Sequence, residues 1–201
     1  MKNLKILNQP IYGIKRMIKK MNEEKKYILT NETRIYMGRT LHKIKASKDF
    51  NDVMKGDLGG WIDKESNLSH EGNCWLYENA IVMDNAKVCD DAMVIDTLVR
   101  GNAQICSHAI VLDNAEVRDN AQVCGHAIVR DNAQISGNAQ ISGNAHVYED
   151  AVVAINAIVC DSAAVFGNAM VSGNVVVSDN AKIFGIAIVS GNTKISGNDK
   201  I

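Results

Sequence analysis

Two cysteine–histidine pairs recur in the sequence with the same internal spacing, Cys106 with His108 and Cys124 with His126. Thiolate sulfur and imidazole nitrogen are ligands that Zn²⁺ takes in tetrahedral protein sites. The four side chains are therefore a candidate zinc site. Their spacing matches no established zinc motif, however, and similar residues also recur when one repeat copies another. Under this competing interpretation the residues form a structural ladder, and no cofactor is expected.

Histidine can also act as a general base near neutral pH. His126 and His146 are the candidates for a catalytic role, provided that two subunits meet at these residues. The alternative for each is an ordinary surface histidine.

Composition and known motifs narrow the function classes. The chain has 201 residues, a net charge of −1 and 46% hydrophobic residues, which is enough for a folded core. It has no P-loop, GxGxxG, HExxH or GxSxG pattern, and no RNA-binding signature. No apolar run reaches the roughly 18 residues of a membrane span, and no secretory signal is recognisable. Five cysteines without CxxC spacing are typical of a reducing compartment. We expect a cytoplasmic protein that binds neither membrane nor nucleic acid.

An aliphatic residue recurs at every sixth position from Val99 to Ile201. A small residue stands two positions earlier, and it is Ala in every hexad from Ala103 to Ala169. Gly or Asp followed by Asn separates many of the hexads, as in Asp113-Asn114. The same phase extends back to Leu76, with one residue missing near Thr97.

This period predicts a coil of short strands. In the order Ala-x-Val-x, alternate side chains point into the core. Gly or Asp followed by Asn then turns the chain sharply, because Gly and Asn tolerate positive φ. Three such sides make one triangular coil, so residues three hexads apart stack on successive coils. We predict an all-β fold, a parallel β-helix of about seven triangular coils over residues 61–201.

Residues 1–60 differ from the repeats. They carry 14 Lys or Arg against six Asp or Glu, whereas residues 61–201 carry eight against 17. An apolar stripe predicts a basic helix over residues 11–26, and alternation predicts a β-hairpin over residues 27–45 that turns at residues 30–32. A β-helix needs a covered end, so we predict a small α+β N-terminal cap.

The passage that leads into the repeats carries a family resemblance. Its motifs are KDFNDV at 48–53, GGW at 59–61, NLS at 67–69 and EGNCWLY at 71–77. They resemble the YdcK-like family and phage or prophage hexapeptide-repeat proteins. The resemblance implies a left-handed β-helix, a phage-related role, a transferase label that rests on the fold shared with acyltransferases, and subunits that meet along the rods.

Stacking of residues three hexads apart collects a largely apolar outward face. It contains Trp75, Tyr77, Met93, Ile95, Ile110, Leu112, Ile128, Arg130, His146, Tyr148, Ala164, Phe166, Lys182 and Phe184. An outward apolar strip is typical of a partner surface. We expect Trp75, Tyr77, Ile95, Leu112, Ile128, Arg130, Tyr148, Phe166 and Phe184 to form the binding residues. A second copy is the favoured occupant, with a foreign protein and the cap as alternatives.

Two enzyme classes resemble this chain in their coils. Hexapeptide-repeat acyltransferases place a catalytic histidine in an inter-subunit cleft that an extended loop helps to form. The repeat from Val99 to Ile201 has no insertion that could supply such a loop. Carbonic anhydrases of the γ class hold zinc with three histidines between subunits, which supports the zinc hypothesis.

The favoured function is a non-catalytic binding or scaffold protein that forms a dimer or trimer and binds a host protein. The alternative is an acyltransferase-like or metal-dependent enzyme with an inter-subunit site at His126 and His146.

Overall fold

A computed structural model describes residues 25–201, and the structural statements below concern this part of the chain. The helix predicted over residues 11–26 lies outside the described residues, apart from a bend at Lys25 and Lys26. Within residues 25–201, no helix is long and apolar enough to cross a membrane.

The described chain forms short strands that belong to three sheets. Sheet 1 contains β1 (Tyr27–Tyr36), β2 (Arg39–Ala46), β3 (Leu58–Ile62), β5 (Ile81–Val82), β8 (Leu98–Val99), β11 (Glu116–Val117), β14 (Gln134–Ile135), β17 (Val152–Val153), β20 (Met170–Val171) and β23 (Ile188–Val189). Sheet 2 contains β4 (Trp75–Tyr77), β7 (Met93–Ile95), β10 (Ile110–Val111), β13 (Ile128–Val129), β16 (His146–Val147), β19 (Ala164–Val165) and β22 (Lys182–Ile183). Sheet 3 contains β6 (Lys87–Val88), β9 (Gln104–Ile105), β12 (Gln122–Val123), β15 (Gln140–Ile141), β18 (Ile158–Val159), β21 (Val176–Val177) and β24 (Lys194–Ile195).

The chain visits the three sheets in turn, and each strand from β3 to β21 pairs in parallel with the strand one turn later. The all-β, parallel β-solenoid that the hexads predict is confirmed, and it is consistent with a left-handed β-helix. It has about eight turns, one more than predicted. The additional turn begins at β3 and includes the 3₁₀ helix Glu65–Asn67, where the sequence departs from the hexad pattern.

The core follows the predicted alternation. Ala133, Val147 and Val153 are fully buried, and so are the corresponding Ala and Val or Ile residues of most hexads. Gln134, which lies between Ala133 and the next core residue, is exposed. The small Ala side chains therefore face inward at one position of each side, and the β-branched residues fill the rest of the interior.

Thr97 takes the place of Ala where the hexad lacks one residue. Its side chain is buried, and its hydroxyl donates to the carbonyl of Ile95 at 2.9 Å and lies 3.4 Å from the carbonyl of Asp113. Across this step, paired residues are 17 rather than 18 apart, as in Ile110 with Met93.

Side chains at the corners bond from turn to turn. Asn102 donates to Asn120 at 2.9 Å, and Asn120 donates to Asn138 at 3.0 Å. The same amide ladder includes Asn85, Asn102, Asn120, Asn138, Asn156, Asn174 and Asn192. Asp residues at corners accept the backbone N–H of the next turn, as Asp119 does from Gly137 at 3.0 Å. The Asp-Asn corner therefore links turns as well as reversing the chain.

The hairpin turns at a different place from the one predicted. Strands β1 and β2 pair antiparallel and connect through Met37 and Gly38, whose φ angles are 47° and 75°. Two successive positive φ angles are typical of the tight turn that matches the twist of a β-hairpin. The predicted turn at residues 30–32 is wrong, because strand β1 continues through these residues. The pairing with β2 shows only a register irregularity there, between Leu29 and Thr33.

The residues before the first solenoid turn cover its end. Trp75 is only 2% exposed and packs edge-to-face against Phe50, with ring centroids 5.4 Å apart, and against Tyr27 at 6.3 Å. A Cβ atom on Gly59 would lie 2.6 Å from the Trp75 ring, which explains the glycine at this position of β3. The expectation that Trp75 is an open binding residue is wrong because the cap buries its ring.

Replacing Ala133 with Leu tests the inward-facing assignment. Overpacking of the dry interior should lower the free energy of unfolding by roughly 1–3 kcal/mol. Replacing the neighbouring Gln134 with Leu adds an apolar side chain to the surface and should change it by only about 0.5 kcal/mol. Chemical denaturation of both variants measures the difference. Equal effects would contradict the alternation.

Replacing Trp75 with Ala tests its role under the cap. Loss of a buried aromatic side chain should destabilise the protein by roughly 3–5 kcal/mol. The control variant Ile35→Ala removes an apolar side chain that is 73% exposed on β1, and should cost about 1 kcal/mol or less. Thermal or chemical unfolding compares the two variants. A Trp75→Ala variant as stable as Ile35→Ala would show that the cap does not depend on this contact.

Candidate functional site

Three aromatic rings stack on the outer surface of sheet 2. The rings of Tyr148 and Phe166 are 4.8 Å apart between centroids and lie within 2° of parallel. Those of Phe166 and Phe184 are 5.3 Å apart and within 11° of parallel. The stack arises because β16, β19 and β22 pair in parallel register, which places equivalent residues on successive turns.

Arg130 continues this column on the turn before Tyr148. Its guanidinium carbon lies 4.6 Å from the centroid of the Tyr148 ring, a cation–π contact, and its Nη1 donates to Asp131 at 2.8 Å. Burial raises the pKa of Tyr148, with a further contribution from the charge of Glu149. We call Arg130, Tyr148, Phe166 and Phe184 the aromatic strip.

The remaining predicted binding residues lie on the same sheet. Ile95, Leu112 and Ile128 are outward and half-buried. Tyr77 also faces outward, but its hydroxyl donates to Asp52 of the cap at 2.8 Å. With Trp75 buried, the accessible part of the face extends from Ile95 towards Phe184. Sequence reasoning therefore placed the column correctly but did not detect that the cap occupies its first turn.

The accessible apolar surface widens beyond Phe184. Ile186 is 85% exposed at the next corner, and Ile188 is 74% exposed on sheet 1. Most earlier turns place Asn or Asp at the corner where Ile186 stands, as with Asn168 one turn before. The signal in the sequence is the replacement of a polar corner residue by Ile, which is invisible when only the outward positions of sheet 2 are compared.

The proposed zinc ligands come together in pairs, not as one set. The rings of His108 and His126 stack 4.8 Å apart, and His108 Nε2 lies 3.5 Å from a carboxylate oxygen of Asp91. Among residues 25–201, no group of three or more His, Cys, Asp or Glu residues is placed to hold a metal ion. The cysteines lie at strand ends on sheet 3 and the histidines at the following corner. The structure therefore does not assemble Cys106, His108, Cys124 and His126 into one ligand set.

The two catalytic candidates occupy different columns. His126 lies at the corner between sheets 3 and 2, whereas His146 lies outward on β16, paired with Ile128. His146 is exposed. A cleft of about 590 Å³ lies near the cap instead, where Glu65 accepts from Lys25 at 2.6 Å and contacts His70 at 2.9 Å. Neither His126 nor His146 lines this cleft.

Comparison with known proteins agrees with the repeat architecture. A family model described as the YdcK β-solenoid repeat matches residues 121–137, 139–154 and 163–179. Over 99 residues the chain is 34% identical to the Escherichia coli K12 protein named "Uncharacterized acetyltransferase YdcK". That match covers 49% of this chain and 30% of the relative, so the chain spans about a third of the relative's length. The repeat model and this identity show that part of the chain is similar to YdcK-type β-solenoid proteins.

Proposed function

We propose that this protein is a non-catalytic binding or scaffold protein that self-associates through sheet 2. The observation that carries the proposal is the stack of Tyr148, Phe166 and Phe184 on the outside of a flat sheet. Aromatic residues and Arg are enriched at protein interfaces, because they offer a large apolar area together with a polar edge. Ile186 and Ile188 extend this apolar surface around the corner.

On the middle turns, the residue types support sheet 2 over sheet 3. Corresponding outward positions of sheet 3 carry Gln104, Gln122 and Gln140, whose amides are well solvated. In a closed assembly with the rods parallel to its symmetry axis, each strip meets its copy at the same height. A dimer or trimer arranged in this way brings aromatic strips together and leaves the glutamines in water.

Replacing both Tyr148 and Phe166 with Glu should convert the oligomer into a folded monomer, because the carboxylates would be buried only at an interface. The matched control replaces the exposed Gln122 and Gln140 with Glu and should leave the oligomer intact. Sedimentation velocity gives the mass, and circular dichroism verifies the β-structure. A monomeric native protein, or an unchanged mass in the Tyr148/Phe166 double variant, would contradict the proposal.

Acetyl transfer is the second candidate function, favoured by the identity to a protein named an acetyltransferase. In that case His126 or His146 would act as general base at an inter-subunit site. The backbone ladder runs from β8 to β24 without an inserted loop, so neighbouring subunits would have to supply the walls of an acetyl-CoA site.

Acetyl-CoA distinguishes the two functions. If the chain is a transferase, acetyl-CoA should raise the melting temperature, and His146→Ala or His126→Ala should prevent acetyl transfer without changing the mass. If it is a scaffold, acetyl-CoA should leave the melting temperature unchanged. A host protein as partner, the phage relation and the cytoplasmic location stay predictions.

A further inference from the structure

Three cysteines form a column on the outside of sheet 3. Cys89, Cys106 and Cys124 directly follow strands β6, β9 and β12, which pair in parallel register. The backbone continues this pairing through the cysteines, since Cys89 N–H donates to Ile105 and Cys106 N–H donates to Val123, each at 3.0 Å. All three are free thiols and half-buried.

The spacing of the turns suits a disulfide. Neighbouring strands of a sheet are about 4.8 Å apart. A disulfide requires its two Cα atoms to be roughly 4.4–6.8 Å apart and its two Cβ atoms about 3.5–4.5 Å apart. The strand spacing places the Cα atoms of Cys106 and Cys124 within the first range, because the two residues occupy equivalent outward positions on successive turns. Their Cβ atoms then have to approach by only a few tenths of an ångström.

The thiols of this column also influence one another. Burial raises the pKa of Cys106 to about 12, and the neighbouring Cys124 thiol contributes through its charge and a hydrogen bond. Burial likewise raises the pKa of Cys89, to which Asp90 and Cys74 contribute as well. The geometry also distinguishes the two pairs, because Cys106 and Cys124 are three full hexads apart, whereas the turn from Cys89 to Cys106 is one residue shorter.

The other two cysteines lie in different surroundings. Cys74 is buried beneath the cap, where its sulfur lies 3.2 Å from Lys26 Nζ. Cys160 is separated from Cys124 by Ser142 in the column, and its thiol lies 3.4 Å from a carboxylate oxygen of Asp161. Cys160 therefore serves as an internal reference, an outward thiol without a thiol neighbour on the adjacent turn.

We propose that Cys106 and Cys124 form an oxidation-dependent disulfide that joins two successive turns of the solenoid. With hydrogen peroxide as oxidant, one sulfur attacks a peroxide oxygen, the O–O bond breaks, and a sulfenic acid and one water result. The neighbouring sulfur then attacks the sulfenic sulfur, the S–S bond forms, and hydroxyl and thiol proton leave as a second water. Two electrons pass from the two thiols to the peroxide.

Such a bond changes how the solenoid opens. Each turn is held to the next mainly by backbone hydrogen bonds and packing, so turns can separate locally. A covalent link between equivalent residues of two turns prevents separation at that point. In a reducing compartment disulfides of this kind are transient and report oxidation.

Peroxide treatment of the folded full-length protein at mildly alkaline pH tests the proposal, because more thiolate is present there. Remaining thiols are then alkylated in denaturant, and trypsin is added without reductant. Cleavage after Arg100, Arg118 and Arg130 places Cys89, Cys106 and Cys124 on three different peptides. The expected product joins peptides 101–118 and 119–130, is lighter than their sum by two hydrogens, and separates on reduction. Cys160 should remain fully alkylated.

Two variants provide the controls. Cys124→Ser should abolish this linked product, whereas Cys160→Ser should give it in the same yield as the native protein. Circular dichroism establishes that each variant and the oxidised protein remain folded. Full alkylation of Cys106 and Cys124 after oxidation would overturn the proposal. Three other results would also overturn it. These are a disulfide between Cys106 and Cys89, a disulfide found only in covalent dimers, and a disulfide that forms only in denaturant.

Discussion

The parallel backbone ladder places every side chain above the residue one turn earlier, about 4.8 Å away. This single constraint converts sequence repetition into columns. Side chains of the same type then contact one another on adjacent turns. Val packs on Val in the interior, and Asn120 donates to Asn138 at a corner. The aromatic strip and the thiol column are outward examples of the same rule. A side chain in this fold is therefore understood from its column more than from its neighbours in sequence.

The sequence predicted the parts that depend on period alone. Val147 and Ala133 are buried and Gln134 is exposed because a strand alternates and the ladder copies the alternation in each turn. Tyr148, Phe166 and Phe184 could be placed in one column for the same reason. No three-dimensional information beyond the length of one turn was needed for either result.

The parts that failed depend on contacts across the fold. Alternation marked β1 and β2 as strands, but the turn at Met37 and Gly38 required knowledge of positive φ at a non-glycine residue. Trp75 has the same column position as the open apolar residues, and only the packing of Phe50 and Tyr27 distinguishes it. The four candidate zinc ligands are not gathered into one set, because Cys106 lies at the end of a strand on sheet 3 whereas His108 lies at the following corner.

The flat outer faces of the solenoid also affect which kinds of site the surface can form. Catalysis usually requires a concave site that excludes water and gathers several groups. Columns on a flat sheet gather one residue type at a time, which favours extended contact with another surface. His146 is an example of a residue on such a flat surface, since it lies exposed on β16 within a partly apolar face.

Thr97 has a consequence for folding. Neighbouring hexads are so similar that a segment displaced by one hexad or by a whole turn would still bury Ala and Val, and repeat arrays can begin to fold at many points. The hexad that is one residue short is not equivalent to the others. At its corner the Thr97 hydroxyl donates to the Ile95 carbonyl. An alanine from another hexad placed there would leave that carbonyl without this donor. Thr97 is thus a single residue that favours the correct alignment of the turns over alignments displaced by one hexad or by one turn.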